Sequence, residues 1–333
     1  MKEKYAIQAM KKYHYVKHLN SLRSPMSVAW DITNRCNLKC KHCFNQSGDD
    51  TVHNFAAELT QEELLNVAQQ IVRLEPEQCC ICGGEPLLNK NVFEIIKILS
   101  DGGILVNMVS NGLLLTAEVA LKLKTAGIRN VQISVDGLGC QHDVFRNMEG
   151  SFDKAIQAIE NLKSCKIEHA VSFCPNQLNF RTFHTYVEYM VQLGCKTIRM
   201  MPLLPLGRGM KNFEQLLLNS KETFWFVQQV FQAEKKYPNV RLEWGDPLEH
   251  LFLVLLSKRK YPVVLGIMSD GNVNVSPYLP IVVGNIREKS LQQYWETGYN
   301  NIWGNKEIMA LIKTVKSVYD LLKFENESYY FKI

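Results

Sequence analysis

Three cysteines near the N-terminus have the spacing of a loop that wraps an inorganic centre. Cys36, Cys40 and Cys43 are separated by three and then two residues. Thiolates are soft ligands that select zinc, Cu(I) or iron–sulfur clusters. Structural zinc usually takes four protein ligands, and a 4Fe-4S cluster normally takes four cysteines. Three cysteines on a cluster would therefore leave one iron open to another ligand.

Further residues that could bind a ligand follow in short, glycine-containing runs. In Gly83-Gly84-Glu85-Pro86 the glycines allow close approach of the backbone to a ligand, and the carboxylate can accept hydrogen bonds from an ammonium group. Ser110-Asn111-Gly112 and Ser134-Val135-Asp136-Gly137 are also typical of Asn-Gly and Asp-Gly turns. Each run is thus a candidate binding loop, with a turn as the alternative.

The hydrophobic pattern places each of these runs directly after a predicted strand. Thr60 and Glu63 form a capping box that opens a helix reaching about Leu74. Six strand–helix alternations predict a parallel sheet with right-handed crossovers, and active sites collect at the carboxyl ends of such strands. The predicted strands are Met26–Ile32, Gln78–Cys82, Ile104–Val109, Asn130–Val135, Ile167–Phe173 and Lys196–Met201.

The cysteine loop and the Gly83-Gly84-Glu85-Pro86 loop together resemble the signature of radical S-adenosylmethionine (radical SAM) enzymes. The resemblance implies an α/β fold: a partial (β/α)6 TIM-like barrel with a smaller C-terminal α+β extension. It also implies one 4Fe-4S cluster held by Cys36, Cys40 and Cys43, with S-adenosylmethionine (SAM) on the fourth iron. Reductive cleavage of SAM would give a 5′-deoxyadenosyl radical that abstracts a substrate hydrogen.

The same resemblance assigns roles to single residues. Arg146, in His142-Asp143-x-x-Arg146, would reach the SAM carboxylate; the alternative is a solvated ion pair with Asp143. His42, whose alternative is an exposed loop histidine, and Leu203 would lie beside the adenine. The remaining cofactor-binding residues would be Gly83, Gly84, Glu85, Asn111 and Ser134.

Other cysteines were assigned from their positions. Cys140 follows the fourth strand and is a candidate hydrogen-atom donor to a substrate radical; the alternative is an ordinary small loop residue. Cys79 and Cys80 lie inside the second strand, where core packing is expected.

The second half of the chain resembles the SPASM or twitch extension of peptide-modifying radical SAM enzymes. Asp270-Gly271 predicts a hairpin, and a capped helix follows Ser290. Ser276 stands where the related pattern has a cysteine, and no cysteine follows Cys195. Because hydroxyls do not replace thiolates on a cluster, we expect the auxiliary cluster to be lost. This favours redox-neutral chemistry such as epimerisation or rearrangement, or an oxidation that returns its electron to the first cluster.

We therefore divide the chain into a helical lead-in (1–25), a radical SAM core (26–211) and a degenerate extension (212–333). Residues 306–324 are expected to form one amphipathic helix.

Composition narrows the class of protein. The 333 residues are 46% hydrophobic and 21% charged, which is typical of a globular chain. No run approaches the ~18 apolar residues of a membrane span, and the N-terminus lacks a signal-peptide core. A net charge of +5 without a long basic run gives no support to nucleic-acid binding. The cysteine pattern suits a reducing cytosol, so a cytoplasmic location is expected.

By resemblance, the substrate is a ribosomally made peptide, with a small metabolite or cofactor precursor as the alternative. A reductase or flavodoxin-type electron donor is the expected partner. Two other interpretations remain: a non-catalytic cluster-binding or SAM-binding partner protein, and a zinc-bound structural protein.

Overall fold

A computed structural model describes residues 22–257, 259–324 and 329–333, which contain one sheet of 11 strands. The predicted helical lead-in falls largely on residues outside these ranges. The strands are β1 Ser27–Asp31, β2 Gln78–Cys82, β3 Leu105–Ser110, β4 Asn130–Ser134, β5 Glu168–Phe173, β6 Thr197–Met200, β7 Arg241–Trp244, β8 Val264–Ile267, β9 Asn272–Asn274, β10 Ile281–Asn285 and β11 Tyr329–Tyr330.

Helices follow the strands and cover one face of the sheet. The α-helices in the described ranges are α1 Gln61–Leu74, α2 Val92–Asp101, α3 Ala117–Ala126, α4 Cys140–Arg146, α5 Ser151–Ser164, α6 Phe183–Gln192, α7 Gly207–Lys211, α8 Phe213–Leu216, α9 Ser220–Lys236, α10 Glu249–Ser257, α11 Leu291–Thr297 and α12 Lys306–Ile312. Short 3-10 helices span Pro86–Leu88, Phe180–Thr182, Tyr299–Gly304 and Val318–Phe324.

Strands β1 to β7 are parallel and lie in chain order. The first six are those that the alternation predicted, and β7 is a seventh. The register aligns Asp31 with Cys82, and Ser134 with Ser172, so the carboxyl ends of the strands meet at one edge. The outer side of β1 bonds to β8 rather than to β7, so the sheet does not close. The predicted partial barrel is confirmed.

The two faces of the sheet differ because successive side chains point to opposite sides of a strand. On β1 and β2, the residues Val28, Trp30, Cys79 and Ile81 are fully buried in the core shared with the helices. The intervening residues are only partly buried. They face the inner side of the curved sheet, which we call the barrel interior.

The C-terminal extension continues the sheet. Strand β8 runs parallel to β1, and β8, β9 and β10 follow one another antiparallel, with Asp270-Gly271 in the first turn as predicted. Arg287 bonds to the Glu63 carboxylate on α1 at 2.6 and 2.9 Å, which ties the extension to the core. The boundaries at 25/26 and 211/212 stay predictions.

The prediction of one helix over 306–324 is wrong. Helix α12 ends at Ile312, and a 3-10 helix occupies Val318–Phe324. The Asp320 carboxylate accepts the N–H groups of Lys316 and Ser317 at 3.0 Å, so these amides are capped by a side chain instead of continuing the helical ladder. None of the helices in the described part of the chain is long and apolar enough to cross a membrane.

Candidate active site

The cysteine loop follows β1 and is anchored through its carbonyls. The Arg208 guanidinium, at the start of α7, donates to the carbonyls of Cys40 (2.9 Å) and Ser47 (3.0 Å). The Arg208 backbone N–H donates to the carbonyl of Cys43 at 2.9 Å. The loop is therefore fixed by its backbone, which leaves its thiols free for ligation.

The three thiols differ in exposure. Cys40 is buried, while Cys36 and Cys43 are half-buried. Burial raises the pKa of Cys36 to about 11 and also raises the pKa of Cys40, against the opposing effect of Arg146. No three His, Cys, Asp or Glu side chains in the described ranges are gathered tightly enough to hold a single metal ion. Cysteines that ligate different irons of a cluster stand farther apart than the ligands of one ion.

A guanidinium and an amide donate hydrogen bonds to two of these sulfurs. Arg146 Nη1 lies 3.7 Å from Cys40 Sγ, and Asn111 Nδ2 lies 3.9 Å from Cys36 Sγ. Hydrogen bonds to cysteine sulfurs are one of the means by which proteins tune iron–sulfur centres. Three thiols on one loop, with two such donors, therefore fit the predicted cluster.

The Gly83-Gly84 pair packs against the backbone that enters the cysteine loop. The N–H of Gly84 donates to Thr33 O (2.7 Å), and the N–H of Glu85 donates to Arg35 O (2.8 Å). A Cβ on Gly83 or Gly84 would collide with the carbonyl of Thr33 or Arg35. Glycine is required at both positions because two backbone segments approach closely here.

The Glu85 carboxylate is fully buried and bonds within the chain. It accepts from Ser110 Oγ (2.9 Å), Asn111 N (2.8 Å) and Leu87 N (3.2 Å). Burial raises its pKa to about 6, and these donors oppose that rise. Glu85 thus joins the loops after β2 and β3, and its predicted contact with a ligand ammonium stays a prediction.

Arg146 forms a buried ion pair with Asp136, which is positioned by the loop after β4. Burial lowers the pKa of Arg146, but the charges and hydrogen bonds of Asp136 and Cys40 together outweigh this and the net pKa is raised. Asp143 instead accepts from Gly150 N (2.8 Å) and other donors at the start of α5. The alternative of a solvated Asp143–Arg146 pair is therefore wrong.

An aromatic and apolar patch brings His42 and Leu203 together. The His42 ring stacks on Phe145 with centroids 4.2 Å apart and planes 4° from parallel. Burial lowers the pKa of His42 well below its usual value, which favours the neutral ring. Leu203 packs with Phe145 and Cys174 in a small buried cluster. Sequence reasoning missed Phe145, although its place within the His142–Arg146 motif offered a signal.

The two remaining candidates lie at the end and just after β4. Ser134 Oγ accepts a hydrogen bond from Ser172 Oγ at 3.4 Å. Cys140 is exposed at the first residue of α4. Their proposed roles stay predictions.

A cleft of about 530 Å³ lies between the residues that follow Cys43 and the C-terminal extension. Its walls include Phe44 and Gln46 from the loop, Met210 from α7, and Asn274 and Tyr278 from the extension.

Ser276 lies near this cleft in a hydrogen-bonded turn. Its hydroxyl lies 3.0 Å from His250 Nε2 and accepts the N–H of Tyr278 at 3.2 Å. At the position where the resembled pattern has a cysteine, this chain thus has a serine whose hydroxyl has hydrogen-bond partners.

These features define a radical SAM protein, and comparison with known families agrees. The family model described as "Radical SAM superfamily" matches residues 30–190. The chain belongs to this superfamily, and it is an enzyme of the radical SAM type that uses SAM and a 4Fe-4S cluster.

Individual relatives extend the similarity beyond the core. The chain is 29% identical over 297 residues to an AdoMet-dependent heme synthase of Methanosarcina barkeri, covering 82% of each chain. It is 29% identical over 308 residues to the mycofactocin maturase MftC of Mycobacterium tuberculosis, covering 89% of this chain and 74% of that one. The fold matches Streptococcus suis SuiB bound to S-adenosylmethionine with a TM-score of 0.70 and 15% identity, over 98% of this chain and 80% of SuiB.

Proposed function

We propose that this radical SAM enzyme modifies a ribosomally made peptide by abstracting a hydrogen atom from it. The observation that carries the proposal is the 530 Å³ cleft, which has one wall on the cysteine loop and another on the extension. Its volume lies within the range of about 300–1,000 Å³ that is typical of ligand-binding clefts. SuiB, which shares this fold, has also been crystallised with its precursor peptide SuiA.

The chain's own residues hold and orient the cofactors. Cys36, Cys40 and Cys43 would ligate the cluster, and the Gly83-Gly84 backbone would approach SAM. When bound, the cluster and SAM supply a carbon radical. The Arg146 guanidinium, held by Asp136 beside Cys40, provides fixed positive charge in a buried site.

The stacked His42–Phe145 pair and Leu203 form an apolar surface that would exclude water from the adenine side. Desolvation of this kind also protects a radical from side reactions.

The reaction is proposed to take place in the cytoplasm with a flavodoxin-type protein as electron donor. The overall reaction is further proposed to be redox-neutral. Ser276 supports this last point, because a serine bonded to His250 replaces the cysteine that an auxiliary cluster would need. Iron well above about four per chain would contradict this proposal.

A second candidate is action on a cofactor precursor of the tetrapyrrole class. It is favoured by the match to the heme synthase of M. barkeri, which spans 82% of both chains.

Anaerobic reconstitution followed by reduction with dithionite tests the proposal. We expect about four irons per chain and release of 5′-deoxyadenosine from SAM. Candidate peptides from short open reading frames beside the coding sequence, and iron-coproporphyrin, would then be compared for stimulation of 5′-deoxyadenosine release and for modified products. The triple Cys36→Ala, Cys40→Ala, Cys43→Ala variant is the control. SAM binding without cleavage would instead support the alternative that this chain is a non-catalytic SAM-binding partner protein.

A further inference from the structure

Cys80 and Cys82 face the barrel interior. The sequence predicted core packing for Cys80 and no particular role for Cys82. Cys79 is fully buried on the helix side of β2, as expected. Cys80 is only partly buried and shares the opposite face with Cys82, so its assignment to the core is wrong. The sulfur atoms of Cys80 and Cys82 lie 3.4 Å apart and are linked by a hydrogen bond.

Polar groups from three other parts of the chain converge on this pair. Asp31 lies opposite Cys82 in the β1–β2 register. Arg199, exposed on the inner face of β6, interacts electrostatically with Cys80. Tyr278 reaches in from the extension and lies within electrostatic range of both sulfurs. Cys79, on the opposite face of the same strand, lies in the hydrophobic core instead.

We propose that Cys80 and Cys82 form a pair of thiols that donates a hydrogen atom, and this inference rests on the proposed function. Cys82 donates its hydrogen atom to a radical, and the two sulfurs then form a disulfide. Cys82 is the last residue of β2 and directly precedes Gly83-Gly84. It therefore lies at the carboxyl edge of the sheet, where the cysteine loop and the candidate cofactor loops meet.

The hydrogen bond couples the two thiols. Together with burial it raises the pKa of Cys82 well above its usual value. The same hydrogen bond lowers the pKa of Cys80; burial opposes this and Arg199 assists it. Cys82 is assigned as the hydrogen donor because it ends β2 at the carboxyl edge of the sheet, and Cys80 is its partner because the two sulfurs lie 3.4 Å apart.

The step balances in atoms and electrons. The Cys82 S–H bond breaks, a C–H bond forms on the substrate radical, and Cys82 becomes a thiyl radical. Cys80 releases its proton to solvent, its sulfur bonds to the Cys82 thiyl radical, and the surplus electron passes to a one-electron acceptor of the iron–sulfur class. The product is a disulfide, which an external thiol reductant returns to two thiols.

Strand geometry makes this disulfide easy to reduce. Two residues of a parallel strand span about 6.6 Å, near the upper end of the range of about 4.4–6.8 Å over which disulfides join Cα atoms. A bond at this limit is strained, which suits a transient disulfide better than a structural one. The pair also replaces the hydrogen that was abstracted, as epimerisation requires.

The first test reads the pair directly, without any substrate. The reconstituted enzyme is titrated anaerobically with glutathione disulfide, then alkylated, digested and analysed by mass spectrometry. We expect a Cys80–Cys82 disulfide in the wild type and none in Cys82→Ser. Cys79→Ala, on the opposite face of the same strand, and Cys165→Ser should keep it. If Cys80 and Cys82 stay alkylated as free thiols throughout the titration, the proposal is wrong.

The second test uses uncoupled SAM cleavage in D₂O, because thiol hydrogens exchange with solvent and carbon-bound hydrogens do not. Wild type and Cys79→Ala should release 5′-deoxyadenosine carrying deuterium, and Cys82→Ser should lose most of it. Equal deuterium in wild type and Cys82→Ser would overturn hydrogen donation by Cys82. If the wild type releases no 5′-deoxyadenosine at all, the proposed function fails, while the disulfide measurement still decides whether the pair is redox-active.

Discussion

The buried ion pair between Asp136 and Arg146 offers a quantitative test of how the site is held. The two side chains are only 2% and 10% exposed, so water screens their charges little. In Asp136→Asn the amide oxygen can still accept the N–H of Cys174, which bonds to Asp136 at 2.7 Å. The substitution therefore removes mainly the charge and leaves the Arg146 guanidinium buried without compensation. Loss of one partner of a buried pair costs about 3–5 kcal/mol.

Urea unfolding followed by tryptophan fluorescence measures this cost as a lower midpoint at unchanged slope. Asp101→Asn is the matched control, because it breaks the Lys97–Asp101 pair, whose side chains are 63% and 66% exposed. Exposed helical pairs of this kind contribute about 0.3–0.5 kcal/mol, so the control should unfold almost like the wild type.

A double variant separates charge from packing. Adding Arg146→Met to Asp136→Asn removes the uncompensated guanidinium, so the double variant should be more stable than Asp136→Asn alone. The reasoning fails if Asp136→Asn costs no more than Asp101→Asn, or if the second substitution only adds a further loss.

Three other predictions concern the loops around the site. Burial raises the pKa of Glu85 from 4.5 to about 6, so the folded state favours the protonated acid and stability falls as pH rises through this window. The fall is about 2 kcal/mol, and urea unfolding of Glu85→Gln across the window should lack it; an equal fall would contradict the assignment. Gly84→Ala should lower the iron bound per chain, because its Cβ collides with backbone. Gly103→Ala meets open space and adds only the local backbone strain of its φ of +81°, so it should bind iron like the wild type. Arg208→Lys should also lower iron content, because a single ammonium cannot reproduce the guanidinium's contacts with two loop carbonyls; unchanged iron would contradict this.

Local signals were sufficient for much of the core. Thr60 and Glu63 predicted the start of α1, and both capping hydrogen bonds are present. The strand–helix alternation predicted the order and direction of six strands because each unit is specified by its own periodicity. The glycine pair before Glu85 marked a close backbone approach, and the structure shows its partners to be Thr33 and Arg35.

Pairings between distant segments were not predictable in the same way. Arg146 had Asp143 nearby in sequence, yet it pairs with Asp136, because the turn into α4 brings those two side chains together and the start of α5 engages Asp143. Cys80 was assigned to the core because a strand in isolation does not show which face carries helices. The tail was extended to Phe324 because its apolar spacing continues, while the cap made by Asp320 depends on the local fold.

The position of β1 between β2 and β8 has a consequence for biosynthesis. Ser27 pairs with Gln78 on one side and with Val264 on the other, and the loop that leaves β1 carries the three cysteines. Pairings between such distant segments form late, and domains assemble as the chain emerges from the ribosome. Strand β1, the first in the described part of the chain, therefore waits for a distant segment before both of its edges are bonded. We expect the cysteine loop to remain accessible until β8 has been synthesised, so an assembly system can deliver iron and sulfide before the sheet around the loop is complete.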